Sequence, residues 1–170
     1  MDYKLIDNFL PEDEFKSIQK LMVFGERFPF YLSPSVTYLE DTDRQWDWYG
    51  THMFYTLDRP TSDFYDEIKK TFISKIEDVI GPMKSLLRIK ANFYPHTPIL
   101  QEHLPHVDYD YSSYGAIFSL NTCDGFTRLG DSIKIDSVEN RIVIFDASMQ
   151  HNSTTTSTAR GRFNINFNWL

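Results

Sequence analysis

The sequence predicts a mainly β domain with helices at its flank, closed as a barrel or a double-sheet jelly roll of the cupin-like kind. Three observations carry this. The hydrophobic period is helical up to Pro82 and alternating from there to the last residue. The alternating half breaks into short, closely spaced runs separated by turn pairs such as Asp124-Gly125 and Glu139-Asn140. Aromatics make up 16% of the chain against only seven glycines, a composition of folded, sheet-rich domains rather than disordered chains. At 170 residues the chain is expected to form one domain, residues 1–170, with a single core.

A short strand is expected over residues 3–6, followed by a helix that Pro11 opens. Proline in the first turn sacrifices no helical hydrogen bond, and Glu12, Asp13 and Glu14 favour the positive end of the helix dipole. Phe15, Ile18, Leu21 and Met22 recur at helical spacing, so one face is apolar and must pack on something. From residue 24 to 49 the pattern dissolves into Pro29, Pro34, scattered aromatics and the acidic run Glu40, Asp41 and Asp43, which reads as a long surface connection. A second helix starts after Thr61 or Ser62, either of which can cap it. Phe64, Ile68, Phe72, Ile76 and Val79 line one side, and Gly81-Pro82 ends it. Trp46, Trp48, Tyr49, His52, Phe54 and Tyr55 form an aromatic cluster before this helix, read either as packing beneath the barrel or as a wall facing a substrate.

Strands are expected over residues 86–94, 116–120, 132–136, 141–145 and 162–169. In the first of these Leu87, Ile89, Ala91 and Phe93 take one face, and Arg88, Lys90, Asn92 and Tyr94 the other. The last run is the most informative. Phe163, Ile165, Phe167 and Trp169 alternate strictly with Arg162, Asn164, Asn166 and Asn168. The polar row is either a solvated outer face or a barrel lumen lined with hydrogen-bonding groups for a polar ligand. Residues 153–158, rich in Ser and Thr, read as a polar loop.

Seventeen basic against twenty-four acidic residues give a net charge of -7, a field that repels phosphate backbones and disfavours nucleic acid as a partner. The single cysteine, Cys123, excludes an internal disulfide framework and a CxxC zinc site, which fits a reducing compartment. The opening residues lack a basic stretch followed by an apolar run, and no segment approaches the ~20 apolar residues of a membrane span. A soluble, cytoplasmic protein without membrane contact is therefore expected.

His106-Val107-Asp108 places an imidazole and a carboxylate two residues apart, on the same side of an extended segment. His151 lies 43 positions beyond Asp108 (151 minus 108), after an apolar strand and a short turn, and a closed antiparallel sheet can return it to the same end of the lumen. Two His and one carboxylate, with three positions left open, are the ligand set of non-haem Fe(II) oxygenases. Zinc in a hydrolase is the rival occupant. His103 is a competing imidazole; His52, His96 and His103 otherwise read as structural or surface residues. Arg162, eleven residues beyond His151 (162 minus 151), offers a bidentate fork for a carboxylate and stays charged when buried. Arg160 competes with it, but strand parity favours Arg162 because Arg160 sits beside Gly161 in the turn.

At these residues the sequence resembles the Fe(II)/2-oxoglutarate-dependent oxygenases of the prolyl 4-hydroxylase-like branch. The resemblance runs over about residues 86–170 and rests on ANFYPHTPILQEHLPHVD, IFSLNTCDGFTRLGD, NRIVIFDASMQH and RGRFNINF. Two departures stand out: Ser119 occupies a place where the family often has a second tyrosine, and Thr127-Arg128 replaces a common Gly-Gly pair. The resemblance implies a double-stranded β-helix with helices packed outside one sheet, residues 85–170 forming the core with the metal site. Residues 1–84 then give helical and loop support and substrate recognition. It implies Fe(II) held by His106, Asp108 and His151, and 2-oxoglutarate contacted by Arg162 and Tyr94. It further implies dioxygen as co-substrate and ascorbate as a reductant. The activity implied is hydroxylation of a C–H bond, of a prolyl or other residue in a peptide or protein or of a small molecule, coupled to conversion of 2-oxoglutarate to succinate. A non-catalytic jelly-roll module binding a sugar or carboxylate in the amide-lined lumen is the alternative from another class.

Overall fold

In a computed structural model of the chain, residues 3–37 and 44–170 are described. The alternating pattern of the second half closes into two antiparallel sheets. The strands are β1 (Lys4–Ile6), β2 (Tyr31–Ser33), β3 (Tyr49–Thr56), β4 (Arg59–Pro60), β5 (Leu86–Pro95), β6 (Tyr114–Ser119), β7 (Phe126–Leu129), β8 (Ile133–Asp136), β9 (Arg141–Asp146), β10 (His151–Asn152) and β11 (Gly161–Trp169). Eight form the larger sheet in the order β1-β9-β6-β11-β5-β3-β2, with β4 paired to β3, and three form the smaller one in the order β10-β7-β8. This is the expected mainly β, jelly-roll fold with flanking helices.

The apolar row of β11 explains where the helices sit. α1 (Glu12–Met22) buries Phe15, Ile18 and Met22, and α2 (Tyr65–Ile80) buries Tyr65, Ile68, Phe72 and Ile76. Both stripes pack on the outer face of the larger sheet, against Ile89, Ala91, Phe118, Ile165, Phe167 and Trp169. Each of these side chains other than Ala91 contributes about 1.5–3 kcal/mol by leaving water. Gln19 joins the buried face of α1 because its amide donates to the Leu120 carbonyl at 2.7 Å. Ser62 accepts the Phe64 N–H at 3.1 Å just ahead of α2, and Gly81, at φ +87°, supplies the backbone turn that ends it. A second, smaller cluster of Ile117, Leu129, Ile135, Val143 and Phe145 fills the space between the sheets.

Two segments differ from expectation. The stretch read as an irregular connection contains β2, and the aromatic cluster at its end is β3, an eight-residue strand seated between β2 and β5. Its two faces are both covered, so no polar alternation marks it: His52 and Phe54 pack against Phe28 and Phe64 on the helical side, while Tyr49 stacks on Tyr94 inside the lumen. The acidic run Glu40, Asp41 and Asp43 lies outside the described residues. The Ser/Thr tract is irregular as expected but not solvated, since Thr154, Thr155 and Thr156 are fully buried. Their hydroxyls are satisfied internally: Thr154 accepts the Phe126 N–H, Thr155 accepts the Gln101 N–H and pairs with Thr97, and Thr156 donates to Asp124. Among the described residues no helix is long and apolar enough to cross a membrane.

Candidate metal centre

The polar row of β11 faces inward. Arg162, Asn164, Asn166 and Asn168 are between 0% and 7% exposed, which excludes the solvated-face reading for this strand. The register with β5 sets Arg162 opposite Tyr94, Asn164 opposite Asn92, Asn166 opposite Lys90 and Asn168 opposite Arg88. Cross-strand partners share a face, so the lumen floor is a polar ladder with a cation near each end. Asn92 donates to Asn164 at 2.8 Å, and among the described residues the remaining acceptors Asn92 Oδ1 and Asn166 Oδ1 are buried with no partner.

His106, Asp108 and His151 meet over the Asn166–Asn168 end of this floor. One ligand atom from each lies within 4.8 Å of the others, an arrangement able to hold a metal ion. The backbone builds it. The N–H of His106 donates to the carbonyl of His151 and the N–H of His151 to the carbonyl of His106, both at 2.9 Å, while the Asp108 N–H donates to Ala147. The two imidazoles are consequently 4.6 Å apart between ring centres. His151 Nδ1 lies 2.9 Å from the Met149 carbonyl, which can only accept, so this nitrogen donates and leaves Nε2 as the atom turned toward Asp108 Oδ2, 3.7 Å away. Burial and the neighbouring His151 push the His106 pKa down to about 4, so this imidazole is neutral and available to a metal at physiological pH.

Asp108 is held by three donors that sequence reading did not assign. Arg88 Nη2 donates to Oδ1 at 2.6 Å, and Asn168 and Asn166 reach Oδ2 at 2.9 and 3.5 Å. Burial acts to raise the Asp108 pKa, but the Arg88 charge, His151 and the hydrogen bonds from Asn168 and Arg88 outweigh it and hold the carboxyl well below its ordinary range. It is an anion throughout the physiological range. Arg88 stands in a row that, from sequence, looks like any solvated strand face.

At the opposite end lies Arg162, 1% exposed. Its partners are all neutral: Thr127 Oγ1 at 2.7 Å, Ser137 Oγ at 3.3 Å and the Thr154 carbonyl at 3.4 Å, with the Tyr94 ring 5.4 Å away. No carboxylate pairs with it among the described residues. Burial pushes its pKa down while Tyr94 acts the other way, and a guanidinium stays protonated in either case. Tyr94 is itself buried, which raises its phenol pKa, and hydrogen-bonds Ser153. Ser119 stands opposite Asn164 in the same lumen row. Arg160, by contrast, is exposed.

The other histidines lie elsewhere. His52 donates to the Pro29 carbonyl at 2.8 Å and meets Ser62 at 2.7 Å, and His96 bonds the Ala159 carbonyl at 3.0 Å. His103 is buried between Trp46 and Tyr94 and bonds Ser153; burial and the Arg162 charge push its pKa down to about 3. Lys90 and Tyr49, also unassigned from sequence, line the same pocket as the triad. Burial and the Arg88 charge push the Lys90 pKa down to about 8. A groove of about 730 Å³ lies outside the sheets against Tyr114 and Trp169 and contains none of the three ligands.

No protein-family model matches the sequence, and no curated protein is detectably similar to it. Solved structures are similar in fold. A prolyl hydroxylase from Trichoplax adhaerens, in complex with a hypoxia inducible factor oxygen degradation domain peptide, superposes with a TM-score of 0.64 at 15% identity, covering 98% of this chain and 82% of that one. A prolyl-4-hydroxylase from Pseudomonas putida gives a TM-score of 0.59 at 15% identity over 99% and 91% of the two chains. An oxidoreductase of the 2OG-Fe(II) oxygenase family from Burkholderia pseudomallei gives 0.68 at 10% identity over 98% and 84%. The chain thus has the double-stranded β-helix fold of the prolyl hydroxylases and other 2-oxoglutarate-Fe(II) oxygenases.

Proposed function

We propose that the protein is an Fe(II)- and 2-oxoglutarate-dependent dioxygenase. It hydroxylates a C–H bond of a prolyl or other residue in a peptide or protein, or of a small molecule. The observation that carries this reading is the pairing of the ligand triad with Arg162. A buried guanidinium given only neutral partners is costly, because the desolvation of an ion amounts to several kcal/mol and nothing of opposite charge offsets it. A carboxylate entering the lumen supplies that charge, and the strand rise sets Arg162 about 13 Å along β11 from Asn166, beneath the triad. The two ends of the lumen are therefore suited to one dicarboxylate and one metal.

His106, Asp108 and His151 would hold the iron, which, with 2-oxoglutarate and dioxygen bound, supplies the oxidising chemistry. The protein's part is positional. Met149 fixes the His151 tautomer, Arg88 and Asn168 fix the Asp108 carboxylate, and Arg162 with Thr127 and Tyr94 receives the far carboxylate of the co-substrate. Burial of the whole row keeps water from competing for these donors.

The test is anaerobic titration of the protein with Fe(II) and 2-oxoglutarate, following the weak visible charge-transfer band of the chelate. A band that is lost in His106→Ala and needs far more 2-oxoglutarate in Arg162→Ala supports the reading. Folded protein that gives no band, and forms no succinate in air, refutes it.

A further inference from the structure

We propose that Lys90 and Tyr49 form a second anion subsite beside the triad, and that the substrate carries a carboxylate held there; this rests on the function proposed above and names its substrate class. Lys90 projects from β5 into the pocket lined by His106, Asp108 and His151. Among the described residues its ammonium has one hydrogen-bonding partner, the Tyr49 hydroxyl at 3.4 Å, and it lies 5.3 Å from the centre of that ring.

The other two lumen cations are engaged differently. Arg88 is bound to Asp108 at 2.6 Å. Arg162 lies across from Tyr94, four residues along β5 from Lys90, about 13 Å of strand. A dicarboxylate anchored on Arg162 leaves Lys90 without a counter-ion, and a divalent metal in the triad adds positive charge beside it. The lumen then has an excess of positive charge that a further anion neutralises. An ammonium and a phenol converging on one point suit a carboxylate, the first as a point charge and the second as a directional donor. Val36 and Ile117 line the same pocket, so the carbon skeleton attached to that carboxylate meets aliphatic surface. Two sources share this chemistry: a free carboxylic acid, and the acidic side chain of a peptide.

The experiment loads the full chain with Mn(II) and saturating 2-oxoglutarate, adds butyrate or butyramide, and reads the proton relaxation of each probe by NMR. The paramagnetic ion relaxes only what binds close to it. Butyrate is expected to relax and butyramide not. Lys90→Met should weaken butyrate at least about tenfold, the loss of one charge-assisted hydrogen bond, while Lys90→Arg retains it and 2-oxoglutarate affinity stays within about twofold. Equal relaxation of acid and amide, none for butyrate, or an unchanged response in Lys90→Met overturns the proposal. So does a Lys90→Met variant that loses 2-oxoglutarate instead, which gives the lysine to the co-substrate. Blocked peptides containing aspartate or asparagine distinguish the source: relaxation of the aspartyl peptide points to a peptide substrate, and of butyrate alone to a small acid. Wild-type protein that binds neither Mn(II) nor 2-oxoglutarate refutes the oxygenase reading itself, before any probe is added.

Discussion

Replacing Arg162 with methionine should lower co-substrate affinity and raise ligand-free stability, two effects of opposite sign from one side chain. Of its three hydrogen bonds only that to Thr127, at 2.7 Å, is short; those to Ser137 and Thr154, at 3.3 and 3.4 Å, are near the limit of useful geometry. Their loss removes about 2–3 kcal/mol, whereas removing a buried, uncompensated cation relieves several, leaving Arg162→Met about 1–3 kcal/mol more stable without ligand. For a chain of this length that is an increase of about 2–10 °C in Tm. With Mn(II) and 2-oxoglutarate the difference shrinks or reverses. Wild type gains about 2.7 kcal/mol at a ligand concentration one hundred times Kd, and the variant gains little, because losing one partner of a buried charge pair costs about 2–5 kcal/mol, roughly 30- to 5,000-fold in affinity. Differential scanning fluorimetry with and without 2-oxoglutarate reads both effects. A ligand-free variant that melts several degrees below wild type, or one that 2-oxoglutarate stabilises as much as wild type, would show that Arg162 is structural and not a carboxylate anchor.

Arg88→Met removes the donor that orients Asp108, and Mn(II) affinity measured by equilibrium dialysis should fall about 10–100-fold, with partial recovery in Arg88→Lys. Gly125→Ala places a Cβ 2.7 Å from Arg162 Cδ and 2.8 Å from the Thr155 carbonyl; the second neighbour is backbone, so the variant should lose about 1–3 kcal/mol in urea titration and bind 2-oxoglutarate more weakly. A variant as stable as wild type would show that the loop gives way freely. Asp124 accepts hydrogen bonds from Thr156, Ser157 and Thr158, which outweigh its partial burial and lower its pKa from the ordinary value. A depressed folded-state pKa contributes stability above the unfolded value of about 4 that is lost as pH falls below it, so the protection factors of residues 156–158, corrected for the intrinsic pH dependence of exchange, should fall in acid. Asp124→Asn should abolish that pH dependence, and an unchanged profile in the variant would assign it to another group.

The parts of this fold legible in sequence are those with one wet or polar face and one dry one. β11 alternates without exception, and its amides and arginine mark the lumen because solvated strands favour other polar residues. α1 and α2 show clean stripes with ends marked by Pro11 and Gly81. β3 was illegible for the opposite reason: Gly50, His52 and Phe54 are buried on one face, and on the other Tyr49 is buried and Thr51, Met53 and Tyr55 are half-buried, so no solvated row marks the period. β10, at two residues, is too short to carry one, and β7 reads Phe-Thr-Arg-Leu, with apolar residues at its two ends instead of alternating. The triad itself could be named from HxD and a later histidine, but its support could not. Arg88, Lys90 and Thr127 are ordinary surface residue types, and only the curl of the sheet turns them inward. The buried threonines misled similarly, since a run of hydroxyls reads as solvated until its internal partners are seen.

The reciprocal backbone bonds between His106 and His151 also bear on the order of events in folding. They join positions 45 residues apart (151 minus 106), and the segment between them contains β6, β7, β8 and β9. Closing that loop before the intervening strands pair carries its full entropic penalty and no packing to offset it. The ligands therefore converge only after the sheets have formed. On the proposed function, metal uptake would then be a late event performed by an already folded chain, and the ion would not nucleate this domain in the way that zinc organises a finger.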